Sequence, residues 1–166
     1  MRDLLNWRHE ATRTFAPPRE SDDASEFGLR GLLVRDPYAS QLLDGKKIWE
    51  IRGRPTQTRG SVVIIKPGTG QAFGTANLVR VLGPLDLEDL VAAPELPGDE
   101  RDELRLHGLP YPKTYAYVFS NPKWFDHPIA YRHPGGAVTW VRLPELDLRT
   151  VRYASPPFRA AQLQLA

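Results

Sequence analysis

The chain has 166 residues, of which 22 are basic, 20 acidic, 16 proline and 13 glycine, and it contains no cysteine. This length is typical of one domain with an ordinary hydrophobic core. The lack of cysteine excludes disulfides, thiolate zinc sites and a cysteine nucleophile. No apolar run is long enough for a membrane helix, and residues 1–10 are too polar for a secretory signal, so we expect a cytoplasmic protein.

The net charge of +2 is the sum of separate basic and acidic stretches. Residues 46–66 hold six basic side chains and one acid, whereas residues 86–103 hold eight acids and one base. Such blocks decide where a charged partner docks more directly than the total does. The basic stretch is therefore the first place to look for a binding site.

Prolines and polar runs divide the chain into an N-terminal extension (1–27), a central domain (28–143) and a C-terminal tail (144–166). The domain begins with an apolar strand over 28–35. A helix follows, for which we predict Asp36 as the N-cap, Pro37 as the first helical residue and Gly45 as the C-cap.

The rest of the domain is predicted to be mainly strand. Pro67–Gly70 is a hairpin turn, and an acidic insert contains short helices over 86–91 and 98–107. The predicted strands cover residues 47–52, 61–66, 72–82, 114–119, 125–131 and 137–143. This order favours an α+β, mainly β class: a small, closed or nearly closed β-barrel of mostly antiparallel strands with short helices at its ends.

The most specific motif begins at the predicted helix and ends in the next strand. A Pro-aromatic-Ala helix start is followed by Gly-x-Lys-x-x-Glu-x-Arg; these residues are Pro37, Tyr38, Ala39, Gly45, Lys47, Glu50 and Arg52. This run resembles the signature of the ASCH domain, small bacterial type, within the PUA-like superfamily. Matches continue in the same order at 59–60, 74, 115–122, 128–134 and 136–141, so the resemblance covers residues 29–143.

The resemblance implies a PUA-like β-barrel of five or six strands with a cleft between helix and barrel. ASCH proteins are proposed to act in RNA metabolism and transcription coactivation, and some bind nucleic acid. One branch resembles an amidohydrolase that deacetylates N4-acetylcytidine with a Lys, a Thr and a Glu, and another branch is reported to cleave RNA. The Lys corresponds to Lys47, but Glu50 stands in place of the Thr. The third residue has no motif match, and the acids over 88–103 are candidates by position only.

Read without the family, the same residues still form a candidate site. Lys47 and Glu50 nominally point to opposite faces of a strand, and a bulge or a strand end would bring them together. The pair then either braces the barrel mouth or transfers protons in a cleft. Arg52, Arg54 and Arg59 form a basic rim suited to phosphates, or else a solvated hairpin surface.

Aromatic residues alternate with these basic ones, a composition typical of grooves that hold single-stranded RNA by base stacking. Tyr38, which starts the helix facing the Lys47 strand, is the best stacking candidate, and Ser40 is a hydrogen-bond donor on the same turn. Tyr131 and His133, at the end of a later strand, complete the set of candidate ligand-binding residues.

The leading hypothesis is an RNA-binding or other nucleic-acid-binding domain that holds single-stranded RNA or a modified base or nucleoside in a basic-aromatic cleft. One alternative is a metal-independent amidohydrolase or ribonuclease in the same cleft, with Lys47 and Glu50 as catalytic residues. A second is a protein-interaction module that docks a basic partner on the acidic insert (86–103). No metal-ligand spacing and no cofactor motif occur in the sequence, so neither is expected.

Overall fold

The computed structural model describes residues 28–155, which form one curled six-stranded sheet and three short helices. Along the sheet the strand order is β2-β5-β4-β3-β1-β6; β1 and β3 are parallel, and the other neighbours are antiparallel. In chain order the elements are β1 (Arg30–Leu33), α1 (Tyr38–Leu43), β2 (Trp49–Arg52), β3 (Gly60–Lys66), β4 (Gln71–Leu82), α2 (Leu87–Val91), α3 (Gly98–His107), β5 (Tyr115–Ala130) and β6 (Trp140–Arg142).

The helix α1 begins one residue later than the sequence predicts. Pro37 occupies the N-cap position, and the Asp36 carboxylate accepts hydrogen bonds from the Ser40 amide at 3.1 Å and the Ser40 hydroxyl at 2.8 Å. The C-cap is Asp44, and Gly45 follows it with a φ of +75°, a conformation that glycine adopts without strain. The chain therefore reverses after α1 and returns as β2.

The prediction of separate strands over 114–119 and 125–131 is wrong, because both belong to the single strand β5. The prolines and polar residues over 120–128 suggested a break, but three register shifts against β4 absorb the irregularity. One shift lies next to Gly74, where a Cβ would clash with the Lys123 carbonyl oxygen and stand 2.7 Å from the Leu43 side chain. Glycine at this position thus allows α1 and β5 to approach β4 closely.

The acidic insert packs on one end of the sheet. Asp86 caps α2 through a capping box with Asp89, and Gly108 follows α3 as predicted. The buried residues Leu90, Leu96 and Leu104 pack in one core cluster with Trp49, Ile51, Ala116 and Val118 of β2 and β5. This packing fixes α3 beside β2.

Two contacts show how far the sheet curls. Tyr117 of β5 stacks on Trp140 of β6 with ring centroids 6.2 Å apart, although three strands separate β5 from β6 in the sheet. The Arg52 guanidinium of β2 donates to the Leu33 carbonyl oxygen of β1, again across the sheet. The predicted mainly β, barrel-like fold with short helices is confirmed, in the form of a curled half-barrel.

Residues 144–155, the described part of the predicted tail, pack against the domain. Leu146, Leu148 and Val151 contact a core cluster that includes Phe125, and the Ala154 amide donates to the Trp124 carbonyl at 2.9 Å. The predicted extension (1–27) and residues 156–166 lie outside the described residues. Within residues 28–155 there is no helix long and apolar enough to cross a membrane.

Candidate functional site

A cleft of about 890 Å³ opens where the concave face of the sheet meets α3. Its walls come from β1, β2 and α3, from the turn between β3 and β4, and from the segments 108–111 and 131–138. Five of the sequence-predicted site residues line it: Tyr38, Glu50, Arg52, Tyr131 and His133. Its volume falls within the range of about 300–1,000 Å³ that is usual for small-molecule sites.

Three charged residues, Glu50, Arg52 and Glu100, form the floor of the cleft, and the predicted site residue Lys47 lies buried behind them without lining the cleft itself. We call these four residues the Lys47 cluster. The Lys47 side chain is fully buried, and its Nζ donates to Glu100 Oε2 and lies 3.5 Å from Glu50 Oε2. Arg52 Nη2 stands 3.1 Å from Glu50 Oε1. The two carboxylates therefore neutralise the two cations, which makes the burial of all four tolerable.

Lys47 and Glu50 come together at the end of a strand, which is one of the two arrangements that the sequence analysis predicted. Lys47 lies two residues before β2 begins, so the alternation of faces along that strand does not apply to it. Its amide donates to the Gln41 carbonyl at 3.0 Å, which ties this segment to the end of α1. Its Nζ lies 4.7 Å from the centre of the Tyr38 ring, within cation–π range.

Glu50 and Arg52 share one face of β2, as predicted from their spacing. Each retains a buried polar atom without a hydrogen-bond partner in the described structure: Glu50 Oε2, an acceptor, and Arg52 Nε, a donor. Both atoms are shielded from the cleft, and Glu50 Oε2 is compensated by the Lys47 ammonium at 3.5 Å. The remaining polar atoms of Glu50 and Arg52 are those available to a ligand, since both residues line the cleft.

Glu100 is the functional candidate that sequence reasoning did not single out. It lies in the first turn of α3 and is buried, four residues before the buried Leu104, so both lie on the helix face that meets the sheet. Burial raises the pKa of the Glu100 carboxyl, although Lys47 opposes the shift. No local signal singles it out, because Asp102 and Leu106 have the same spacing on the same helix and are both exposed.

Burial and the neighbouring carboxylates, Glu100 first among them, raise the pKa of the Tyr38 hydroxyl. Tyr38 thus remains neutral at physiological pH and offers its ring to the cleft. On another wall, the Tyr131 hydroxyl lies 2.9 Å from His133 Nδ1, and His133 Nε2 lies 3.1 Å from the Ala137 carbonyl oxygen. These bonds hold the 131–138 segment together where it borders the cleft.

Three predicted residues do not join this group. Ser40 is bonded to Asp36 and accepts from Lys66 Nζ at 3.1 Å, and it does not line the cleft. Arg54 and Arg59 are exposed in the β2–β3 connection, outside the cleft lining. The Arg54 carbonyl accepts a 2.7 Å hydrogen bond from the Tyr117 hydroxyl, which fixes the backbone and leaves the guanidinium free to meet solvent.

The cleft is of mixed charge rather than uniformly basic. Glu50, Glu100 and Glu103 line it together with Arg35 and Arg52, and the exposed apolar side chains Leu109, Tyr111 and Val138 stand at its edges. An apolar opening above a polar, charge-balanced floor suits a flat heterocycle with hydrogen-bonding edges. Within the described part of the chain, no group of three or more His, Asp or Glu side chains could hold a metal ion.

The fold and the cleft define a small, mostly β domain with a ligand-sized site between helix and curled sheet. The family model of the ASCH domain matches residues 32–129, and the chain belongs to this family. Its fold is similar to that of ASCH from Zymomonas mobilis, with a TM-score of 0.52 and 16% identity over 70% of this chain and 87% of the other.

Two mutants of the Zymomonas protein also match in fold. A tyrosine-to-phenylalanine mutant has a TM-score of 0.52 and 17% identity over 70% of this chain and 90% of the other. A serine-to-alanine mutant has a TM-score of 0.50 and 15% identity over 82% and 94%. No curated protein matches the chain significantly. At these identities the likeness concerns the fold, which in the ASCH family is often linked to RNA binding.

Proposed function

We propose that this ASCH domain binds RNA by holding one base of a single strand, or a modified nucleoside, in the cleft above the Lys47 cluster. The observation that carries the proposal is that the ion-paired Glu50 and Arg52 line one cleft of about 890 Å³ together with Tyr38. The acceptor groups of Glu50 and the donor groups of Arg52, which approach to 3.1 Å, are the kinds of group that recognise the edge of a nucleobase.

The charge balance of the floor supports a base rather than a polyphosphate as the buried group. Lys47 and Arg52 are already paired with Glu50 and Glu100, and a phosphate placed there would face two buried carboxylates. A nucleobase carries no net charge and can exchange hydrogen bonds with both kinds of group. Tyr38 provides the aromatic surface on which such a base stacks.

Binding of nucleosides and of short single-stranded RNA, measured by calorimetry and fluorescence anisotropy, tests the proposal. We expect Glu50→Gln to weaken base binding by about 1–3 kcal/mol, because it removes one charged acceptor. Tyr38→Leu should cost about the same through lost stacking. Thermal unfolding of each variant verifies that it remains folded. Failure of every nucleoside and RNA to bind the wild-type chain would refute the proposal.

A separate variant tests the exposed part of the predicted basic rim, Arg54 and Arg59. If Arg54 and Arg59 contact phosphates of a bound strand, the double variant Arg54→Ala/Arg59→Ala weakens RNA binding equally for all sequences and reduces the dependence on salt. Binding of an isolated nucleoside should be unchanged, because neither residue lines the cleft. An RNA affinity identical to that of the wild type would remove the rim from the site.

Hydrolysis is the second candidate, and the Lys47–Glu100 pair favours it. A carboxyl group with a raised pKa beside a buried lysine is suited to general acid–base catalysis. In amide hydrolysis, Glu100 would take a proton from a water that attacks the acyl carbon, and the leaving amine would then receive that proton. Glu50 offers no hydroxyl, so water is the nucleophile. Release of acetate from N4-acetylcytidine, abolished by Glu100→Gln, would support this activity, and an unchanged substrate would exclude it.

Docking of a basic protein on the acidic insert stays a prediction with less support. Several acids in this stretch make contacts inside the chain: Asp86 and Asp89 cap α2, and Glu100 pairs with Lys47. Asp99 accepts a 2.8 Å hydrogen bond from Gln41. These carboxylates stabilise the insert and its contact with α1, which accounts for them without a partner.

A further inference from the structure

Among the charged residues lining the cleft, Arg35 is distinguished by having no acidic partner. Arg52 pairs with Glu50, and Glu103 lies 3.3 Å from His107. Arg35 is exposed, and no described carboxylate lies within ion-pair distance of it. Asp36, its neighbour in sequence, is engaged at 2.7 Å by Lys66 and also accepts from Ser40.

The topology places Arg35 beside the turn that joins β3 and β4. The Val34 amide donates to the Ile65 carbonyl at 2.9 Å, so Arg35 leaves β1 next to the end of β3. Gly68 and Gly70 in that turn line the cleft, and open space lies where their Cβ atoms would stand. A ligand can therefore approach this backbone closely. The Tyr131 amide donates to the Gly70 carbonyl oxygen at 3.1 Å, so the 131–138 segment lies beside the turn on the same side of the cleft.

The cleft thus has two chemically different parts. The floor is charge-balanced and buried, while the side formed by Arg35 and the glycine turn carries an unpaired guanidinium within reach of solvent. Guanidinium groups bind phosphate through two parallel hydrogen bonds, and an uncompensated one attracts anions into a cleft. The volume of about 890 Å³ exceeds what a base alone requires.

From this arrangement we infer that Arg35 and the Gly68–Gly70 turn form a phosphate subsite, so that the cleft takes a nucleoside phosphate with its base on the Lys47 cluster. This inference rests on the proposed function, because it assumes that the floor receives a base. It differs from the sequence-based prediction, which assigned anion binding to the basic stretch 46–66. The phosphate belongs to a free mononucleotide or to the nucleotide's place in an RNA strand.

Calorimetric titration of the full chain with each of the four ribonucleosides and its 5′-monophosphate tests the subsite. The monophosphate should bind about tenfold more tightly than the nucleoside at low salt, and the preference should shrink at high salt. Arg35→Ala should remove the preference and leave nucleoside affinity unchanged. Arg142→Ala is the matched control, since Arg142 is exposed on β6 and does not line the cleft.

The outcomes distinguish failure of the phosphate subsite from failure of the proposed base binding. Binding of nucleosides without any preference for the monophosphate, or an equal loss for both ligands in Arg35→Ala, would overturn the subsite and leave base binding intact. Absence of binding by both ligands would overturn the subsite, and absence of RNA binding in addition would overturn the proposed function. Tighter binding of a short single-stranded RNA than of the monophosphate would support the subsite as a strand contact. The reverse order would support it as a site for a free nucleotide.

Discussion

Replacement of Lys47 by methionine tests the electrostatic account of the cleft floor most directly. Methionine matches the length of the buried lysine stem but removes the only cation that contacts both Glu50 and Glu100 in the described structure. The side chains of those glutamates are only 8% and 9% exposed, so two carboxylates would face each other in a site poor in water. Removing one partner of a buried ion pair costs about 3–5 kcal/mol.

The destabilisation should depend on pH in a definite direction. Burial raises the pKa of the Glu100 carboxyl, and Lys47 opposes that shift. Without Lys47 the pKa should rise further, because burial and the nearby Glu50 carboxylate then act on it without opposition. A carboxyl whose folded pKa lies above its unfolded pKa destabilises the fold as pH rises through that interval. The Lys47→Met variant should therefore recover stability as the pH is lowered from neutral toward the unfolded pKa of glutamate.

Urea unfolding and thermal unfolding, both followed by tryptophan fluorescence across a range of pH, measure both effects. At neutral pH the melting temperature should fall by roughly 2–4 °C for each kcal/mol lost. Lys46→Met is the control, because Lys46 is exposed and carries the same charge one residue earlier. Equal stability of the two variants, or a Lys47→Met variant whose stability does not improve on acidification, would refute the buried-pair reasoning.

Three further predictions concern single residues. Gly74→Ala should destabilise the domain by about 2 kcal/mol or more in urea unfolding, because its Cβ meets the Lys123 carbonyl, whereas Gly135→Ala, with open space around it, should be neutral. A Gly74→Ala variant as stable as Gly135→Ala would contradict the close packing. The raised pKa of Glu100 makes the wild type lose stability as pH rises above the unfolded pKa of glutamate. Glu100→Gln should make the decrease of unfolding free energy with pH smaller. Parallel curves of unfolding free energy against pH for the two proteins would argue against this reasoning. Asp86→Ala should cost about 1 kcal/mol through loss of the α2 cap, and an unchanged midpoint would count against the capping box.

Much of the chain order could be predicted because its signals are local. The helices of the insert, the hairpin at Pro67–Gly70 and the buried strand over 61–66 depend on caps, turn residues and short apolar runs, and the structure confirms them. The break predicted between 119 and 125 failed because pairing with β4 is a non-local effect. Register shifts along β4 keep β5 continuous through residues that would not form a strand alone.

The candidate site likewise has features that the sequence predicts and one that only the packing of the fold decides. The spacing of Glu50 and Arg52 alone predicts that they share a face, and the motif around Lys47 identifies the family whose model the chain matches. Sequence could not identify Glu100 among the eight acids of 86–103, since only the packing of α3 against β2 brings one of them to Lys47.

The basic stretch that stands out in the sequence therefore has a different meaning in three dimensions. Composition determined that residues 46–66 are rich in cations, but folding pairs Lys47 and Arg52 with carboxylates and leaves Arg54 and Arg59 outside the cleft. It also brings Arg35, which lies outside that stretch, to the cleft without an acidic partner in the described structure. The number of charged residues in a stretch can be read from the sequence. Whether a carboxylate neutralises a given cation depends on the distance between the two groups, which only the curled sheet and the docked helix establish.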